Sequence, residues 1–170
     1  MIEERLLELG IELPPTPTPL ASYVPVRLAP GLAFVSGQVP FDGGTLLYPG
    51  HVGAEVSLEQ AHQGARRCAL QALSAIRDAL GSLDGVTGIV KVEVFVASAP
   101  GFTGQPKVVN GASDLFGEVF AEARDANGKR SGEVGKHARA AVGVAELPLG
   151  APVEVDLIAQ LAPSAKTVLV

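Results

Sequence analysis

The sequence predicts an α+β domain: one mostly antiparallel sheet with two long helices packed on one face. Three observations predict it. Strand-like runs and helical runs follow one another in the order β-β-β-α-β-α-β-β. Two stretches, 58 to 82 and about 106 to 123, repeat apolar residues at helical spacing. Between them, "IVKVEVFVA" alternates as a half-buried strand does.

Taken in order, residues 2 to 10 read as a short helix with Ile2, Leu6, Leu7 and Leu9 apolar, stopped by Gly10. "LPPTPTP", 13 to 19, is an extended, polyproline-like connector. "SYVPVRLAPGLAFVSGQVP" reads as a hairpin: Tyr23, Val24, Val26 and Leu28 lead into a turn at Pro30-Gly31, and Leu32 to Ser36 return. Pro25 has no N–H to give a ladder, so this first strand belongs at a sheet edge. A third short strand is expected around Leu46-Leu47-Tyr48, after the turn "FDGG".

Ser57 and Gln60 have the spacing of a capping box, with Val56 as a staple. From there Leu58, Ala61, Ala65, Cys68, Ala72, Ile76, Ala79 and Leu83 mark one amphipathic helix, whose alanines permit close approach to a sheet. In the following strand Val90, Val92, Val94 and Val96 form one apolar face against Lys91, Glu93 and Phe95. The second helix opens at Pro106 and carries Val109, Ala112, Leu115, Phe116, Val119 and Phe120. "RDANGKRSGEVGK", 124 to 136, is a polar loop; strands at 137 to 146 and 153 to 161 follow, split by "LPLGAP". There are no internal repeats and no domain boundary within the α+β region. The organisation is an N-terminal helix and proline-rich extension (1 to 19), the domain (20 to 162) and a short tail (163 to 170).

Composition narrows the function classes. Of 170 residues, 47% are apolar and 18% charged, and the mean hydropathy is +0.31, oily for a small monomer. No run approaches 18 uninterrupted apolar residues, so no spanning helix is expected, and burial between subunits is the better account. No secretory signal is visible at the start of the sequence. The net charge of −5 and the lack of a basic stripe argue against nucleic acid as a partner. A solvated helix face is the favoured reading of Arg66-Arg67. Cys68, the single cysteine, falls on the apolar side of its helix, which favours core over nucleophile and fits a reducing cytoplasm. His51, His62 and His137 are too dispersed to predict a metal site, and no cofactor motif is present. Asp114 and Glu118 form an i,i+4 pair read as a solvated face.

What stands out is a charge in each of the last two strands. In "HARAAVGVAEL" alternation puts Arg139, Ala141 and Gly143 on one face and Ala140, Val142 and Val144 on the other; the valine face is expected in the core. In "VEVDLIA" Val153, Val155 and Leu157 face the core and Glu154, Asp156 and Ile158 lie opposite, so parity permits Arg139 and Glu154 to share a face. A surface ion pair is one reading, worth little energetically. The other is a guanidinium beside small side chains, whose planar fork suits a small carboxylate.

The motifs Tyr23, Ser36-Gly37-Gln38-Val39-Pro40, "SLEQAHQGARRCALQAL", "VKVEVFVAS", Asn110 in "VVNGASDLFGEVF" and "ARAAVGVAELPLGAPVEVDLIA" together resemble the RidA family, also called YjgF/YER057c/UK114 and formerly labelled endoribonuclease L-PSP. They cover residues 20 to 161. The resemblance implies a chorismate-mutase-like fold, a homotrimer with ligand clefts between subunits, and hydrolysis of reactive 2-imino acids or their enamines to 2-oxo acids and ammonia. It implies that Arg139 binds the substrate carboxylate, that Glu154 orients the attacking water, that Tyr23 and Asn110 line the cleft, and that the Gly37 backbone approaches the ligand. Ala141 stands where the best-known deaminases often carry cysteine, which leaves its backbone carbonyl and removes thiol chemistry. The loop 124 to 136 and the N-terminal extension are longer than the archetype and point to a longer-chain subgroup. Two other functions stay open: a trimeric binding module for small carboxylic acids, and a ribonuclease, disfavoured by the acidic charge.

Overall fold

A computed structural model describes residues 1–16 and 22–163. Its elements are α1 (Ile2–Glu8), β1 (Val26–Ala29), β2 (Leu32–Gln38), β3 (Phe41–Asp42), β4 (Thr45–Leu46), α2 (Leu58–Leu80), β5 (Val86–Ala97), α3 (Gln105–Phe120), β6 (Ala138–Val144) and β7 (Val153–Leu161). Short 3₁₀ turns stand at Leu83–Gly85 and Pro148–Gly150. The main sheet has the order β1-β2-β7-β5-β6. Only β5 and β6 are parallel, joined by the α3 crossover; the other pairs are antiparallel.

Local chemistry explains the elements. The Pro30-Gly31 turn closes the β1–β2 hairpin, with Gly31 at φ +71°. β1 lies at the sheet edge, as Pro25 predicts. The capping box at the start of α2 is formed: Gln60 N–H donates to Ser57 Oγ at 3.1 Å and Ser57 N–H to Gln60 Oε1 at 2.9 Å. Gly81, left-handed at φ +82°, ends the helix. The predicted third strand is instead a tight two-stranded hairpin, β3 with β4, ending two residues earlier than expected; Tyr48 has φ +52°, a conformation that cannot continue a strand.

Both long helices cover one face of the sheet, α2 over β2 and β7, α3 over β5 and β6. Ala61, Ala65, Cys68, Ala69 and Ala72 of α2 are fully buried, as are Val92, Val94 and Val96 beneath the helices. Where the helices touch, Gly111 of α3 sits against the backbone carbonyl of His62 in α2. Burial pushes the Cys68 thiol well above its ordinary pKa, so it is a core residue. α1 joins the same core through Ile2 and Leu6. Part of the predicted proline-rich connector, and the tail beyond Pro163, lie outside the described residues.

Two expectations about facing are corrected. A bulge between Ile89 and Lys91 breaks the alternation of β5: Ile89 turns inward, and Val90, expected in the core, is 44% exposed. In β6 the faces are reversed. Register pairs Arg139, Ala141 and Gly143 with the buried Val92, Val94 and Val96, while Val142 pairs with Phe95 and is 42% exposed. The Arg139 face therefore lies under α3, and the valine face is the uncovered one. The physical reason is crowding on the helix side at Gly143, where the neighbouring side chains leave no room for a larger residue. A Cβ on Gly143 would stand 2.8 Å from Gln105 Nε2 and 3.1 Å from Ser98 Oγ.

Candidate functional site

Arg139, the second residue of β6 and exposed, reaches to the face of α3 presenting Asn110 and Ser113. Its Nη1 donates to Asn110 Oδ1 at 2.8 Å and to Ser113 Oγ at 3.2 Å. Those two bonds use both hydrogens of Nη1. The neighbouring fork, Nε–H with the Nη2 hydrogens, is left without a protein acceptor among the described residues, and no carboxylate lies within 4 Å. Two neutral acceptors thus fix the guanidinium without cancelling its charge. The unused edge has the geometry that binds a carboxylate through two parallel hydrogen bonds. Ala141, one turn of the pleat along, adds a methyl group and a strand backbone whose outer edge is unpaired among the described residues.

Ser113 in turn stands 3.0 Å from His137 Nε2, and His137 Nδ1 is 2.9 Å from the carbonyl of Gly135. Burial lowers the His137 pKa, the Gly135 carbonyl opposes this, and the Arg139 charge lowers it further. The ring is therefore neutral at neutral pH. The sequence reading missed Ser113 and treated His137 as an isolated histidine. The signal was present: Ser113 lies three residues after Asn110 on one helix face, and His137 two residues before Arg139, at the entry to β6.

Glu154 lies elsewhere. It pairs with Phe95 across β5–β7, on the sheet face that no helix covers, whereas Arg139 is on the helix face. The two do not share a face, contrary to what parity permitted, because the reversal in β6 moves Arg139 alone. Glu154 is half-buried, has no hydrogen-bond or cationic partner among the described residues, and burial raises its pKa. Its carboxylate lies over Gly37 of β2: a Cβ there would stand 1.8 Å from Oε1 and 2.7 Å from Cδ. Gly37 thus makes room for the carboxylate. Beside Glu154 on this face, Asp156 is pushed up to about 6 by burial, then by the charges of Glu93 and Glu154, with Lys91 opposing. Phe34 and Val142 are exposed on the same face.

Tyr23 precedes β1, is 53% exposed, and is not the core aromatic that a strand start could have hidden. Its neighbour Val24 accepts from Ser36 Oγ at 2.7 Å, which lays this stretch beside Ser36-Gly37.

The predicted residues therefore divide into two groups. Arg139, Asn110 and Ala141 meet at the β6 edge on the helix face; Gly37, Glu154 and the Tyr23 stretch meet across β1, β2 and β7. With strands about 4.8 Å apart, β6 stands about 10 Å from β7, about 14 Å from β2 and about 19 Å from β1. Two surface cavities, of about 500 and 510 Å³, lie beside α1, the first lined by Leu6, Leu7, Ile11 and Arg77, the second by Ile2, Thr87, Arg124 and Arg130. Neither contains a predicted site residue. Among the described residues no cluster of His, Cys, Asp or Glu could hold a metal ion, and no helix is long and apolar enough to cross a membrane.

A family model described as YjgF/chorismate mutase-like, with an endoribonuclease label, matches residues 3–161. Protein TCP17 of Trypanosoma cruzi is 44% identical over 160 residues, 94% of either chain. Among solved structures, Atu1372 of Agrobacterium tumefaciens, of unknown function, is 40% identical with a TM-score of 0.79, covering 94% of this chain and 91% of that one. A candidate endoribonuclease of Shewanella oneidensis is 30% identical with a TM-score of 0.84, covering 95% and 99%.

Proposed function

The chain belongs to the YjgF/chorismate mutase-like family, and on that premise we propose that it hydrolyses small 2-imino acids, or their enamine tautomers, to 2-oxo acids and ammonia. The observation that carries the reading is the pinned but uncompensated guanidinium of Arg139, with one fork edge open. Glu154 supports it as a half-buried carboxylate with no partner and a raised pKa, the state expected of a general base.

A protonated 2-imino acid carries a carboxylate at one end and a cationic C=N at the other, so it complements Arg139 and Glu154 together. Its C2 is already electrophilic, and the protein need only hold it and place one water. Glu154 accepts a proton from that water, which the backbone carbonyl near Ala141 orients by accepting a hydrogen bond from its other O–H. The oxygen bonds to C2 and the C=N π pair moves onto nitrogen. Return of the proton to nitrogen lets the C–N bond break, the oxygen lone pair forms the carbonyl, and the hydroxyl proton leaves through Glu154 to solvent. The 2-oxo acid has lost the cationic end and half of its complementarity, which favours release.

Because Arg139 and Glu154 lie on opposite faces of one sheet, a site using both needs two chains. We propose a homotrimer in which the β6 edge of one subunit meets the open face of its neighbour. Charge complementarity supports a second copy as the occupant: the uncompensated cation of one half faces the uncompensated carboxylates of the other. Exposed Phe34 and Val142 supply apolar surface on that face.

The relatives' ribonuclease label offers a second reading, but the −5 net charge and the Glu93, Glu154 and Asp156 carboxylates oppose a polyanion. A binding module without catalysis would hold 2-oxobutanoate and leave imine lifetime unchanged. The test generates 2-iminobutanoate and 2-iminopropanoate in situ and compares wild type with Arg139→Ala. Arg139 is exposed in the single chain and the proposed interface would cover it; losing a bidentate clamp buried there costs on the order of 2 to 5 kcal/mol, so turnover should fall at least tens-fold. Equal hydrolysis by the two proteins rejects the proposal.

A further inference from the structure

We propose that Ser113 and His137 are positioning residues that set which edge of the Arg139 guanidinium faces the ligand. The inference rests on the reading of Arg139 as the carboxylate receptor and deepens it.

The hydrogen-bond directions follow from the donor inventory. The Gly135 carbonyl can only accept, so His137 Nδ1, 2.9 Å away, carries the proton. In the neutral ring Nε2 is then an acceptor, and Ser113, at 3.0 Å, must donate its single hydroxyl proton to it. That leaves Ser113 Oγ with its lone pairs turned to Arg139, whose Nη1 donates at 3.2 Å. One polarity runs along the chain, from Arg139 through Ser113 and His137 to the Gly135 backbone. The second Nη1 hydrogen goes to Asn110. Asn110 alone would leave the guanidinium free to turn about that single bond; the Ser113 bond fixes the plane and presents Nε and Nη2 outward. The ring itself is held edge-on to the fully buried Phe116, at 5.8 Å and 89°, so the far end of the chain is anchored in the core.

The arrangement is also proton-sensitive. From α3, His137 meets Ser113 and Phe116, and Asp114 makes no bond to it; from the start of β6 it meets the charge of Arg139. The adjoining Lys136 is turned to Glu133 at 2.6 Å, and Lys91, beside Ala138 in β5, to Glu93 at 2.7 Å. Protonation would make Nε2 a donor, reverse the Ser113 hydroxyl and set a second cation behind Arg139. Acid therefore loosens the guanidinium, with a midpoint below the ordinary histidine value.

The test measures the Arg139 guanidinium by ¹⁵N NMR and 2-oxobutanoate affinity by titration. Wild type at pH 7.5 should show separate Nη1 and Nη2 signals that merge on acidification. Ser113→Ala and His137→Phe should each merge them at pH 7.5 and weaken 2-oxobutanoate about tenfold, the effect of one lost hydrogen bond. His137→Gln keeps an acceptor and cannot be protonated; it should restore both readouts and abolish the pH dependence. If Ser113→Ala and His137→Phe leave the spectrum and the affinity unchanged, the inference is overturned. If Arg139→Ala binds 2-oxobutanoate as wild type does, the carboxylate reading fails instead, and the guanidinium spectra still decide the positioning role.

Discussion

Mixing two inactive variants gives the sharpest prediction from the division of the site. Arg139→Ala removes the guanidinium from the helix face of β6; Glu154→Ala removes the carboxylate from the open face at β7. If each active site takes its arginine from one subunit and its glutamate from the next, some sites in mixed oligomers regain both. A site is whole when the first chain is the Glu154→Ala variant, which keeps Arg139, and the second is the Arg139→Ala variant, which keeps Glu154. With equal amounts and random assembly each condition holds half the time, so about one quarter of the sites recover, whatever the ring size. Were the two groups to act within a single chain, no mixture would contain a whole site. The assay is imine hydrolysis after the differently tagged variants are co-expressed, with dual-tag purification to establish mixed oligomers. Activity near a quarter of wild type in the unsorted mixture, against almost none in either parent, is expected. Dual-tagged oligomers as inactive as the parents would refute the shared site.

Three further predictions follow from contacts. Gly37→Ala places a methyl 1.8 Å from Glu154 Oε1 in a backbone conformation any residue adopts, so the carboxylate must swing away; kcat should fall about 100-fold for a displacement of 1 Å or more, KM should hold, and adding the change to Glu154→Ala should do nothing more. Asp156 has its folded pKa raised from 3.8 to about 6, so protonated it favours the fold, and this stability is present below pH 4 and lost as pH rises through 6. Asp156→Asn should thus stabilise by on the order of 1 kcal/mol at pH 8, after allowance for solvent screening, and not at pH 4; an equal urea-midpoint gain at both pH values would contradict this. Gly111→Ala would set a methyl 2.0 Å from the His62 carbonyl oxygen, so the helices must separate. The gain of about 1 kcal/mol in helix propensity cannot offset an overpacked backbone contact, and Tm should drop by several degrees or folding fail.

Much of the fold was legible because its signals are local. The Ser57–Gln60 box, the alanine stripe of α2 and the Pro25 edge strand each depend on residues near in sequence. Two kinds of feature were not. Alternation assumes an unbroken pleat, and one extra residue near Val90 shifts every facing before it. Alternation also assumes that the larger apolar residues point at the core, which fails at β6. There Gly143 stands against Gln105 and Ser98 with no room for a larger side chain, and Val142 takes the open face. Small residues in an edge strand mark the crowded side, not the solvent side. From that rule the Arg139 face could have been assigned from the sequence, and with it Ser113 and His137.

The same reversal has a consequence for assembly. The described chain holds a guanidinium that no carboxylate among the described residues answers and, on its other face, Glu154 and Asp156 with pKa values raised by burial and, at Asp156, by mutual repulsion. Within one sheet these charges cannot neutralise each other, because the β-pleat separates them by a face and two strands. Bringing a second copy's β6 edge over the open face corrects both imbalances at once. Direct contact would only produce an ion pair, however, and an ion pair leaves no work for a ligand. The binding reading requires that the two groups approach without touching, with room between them for a molecule anionic at one end and cationic at the other. The fixed orientation of Arg139 favours that outcome: Nη1 is committed to Asn110 and Ser113, so the side chain cannot extend to meet the opposing carboxylate without breaking two hydrogen bonds.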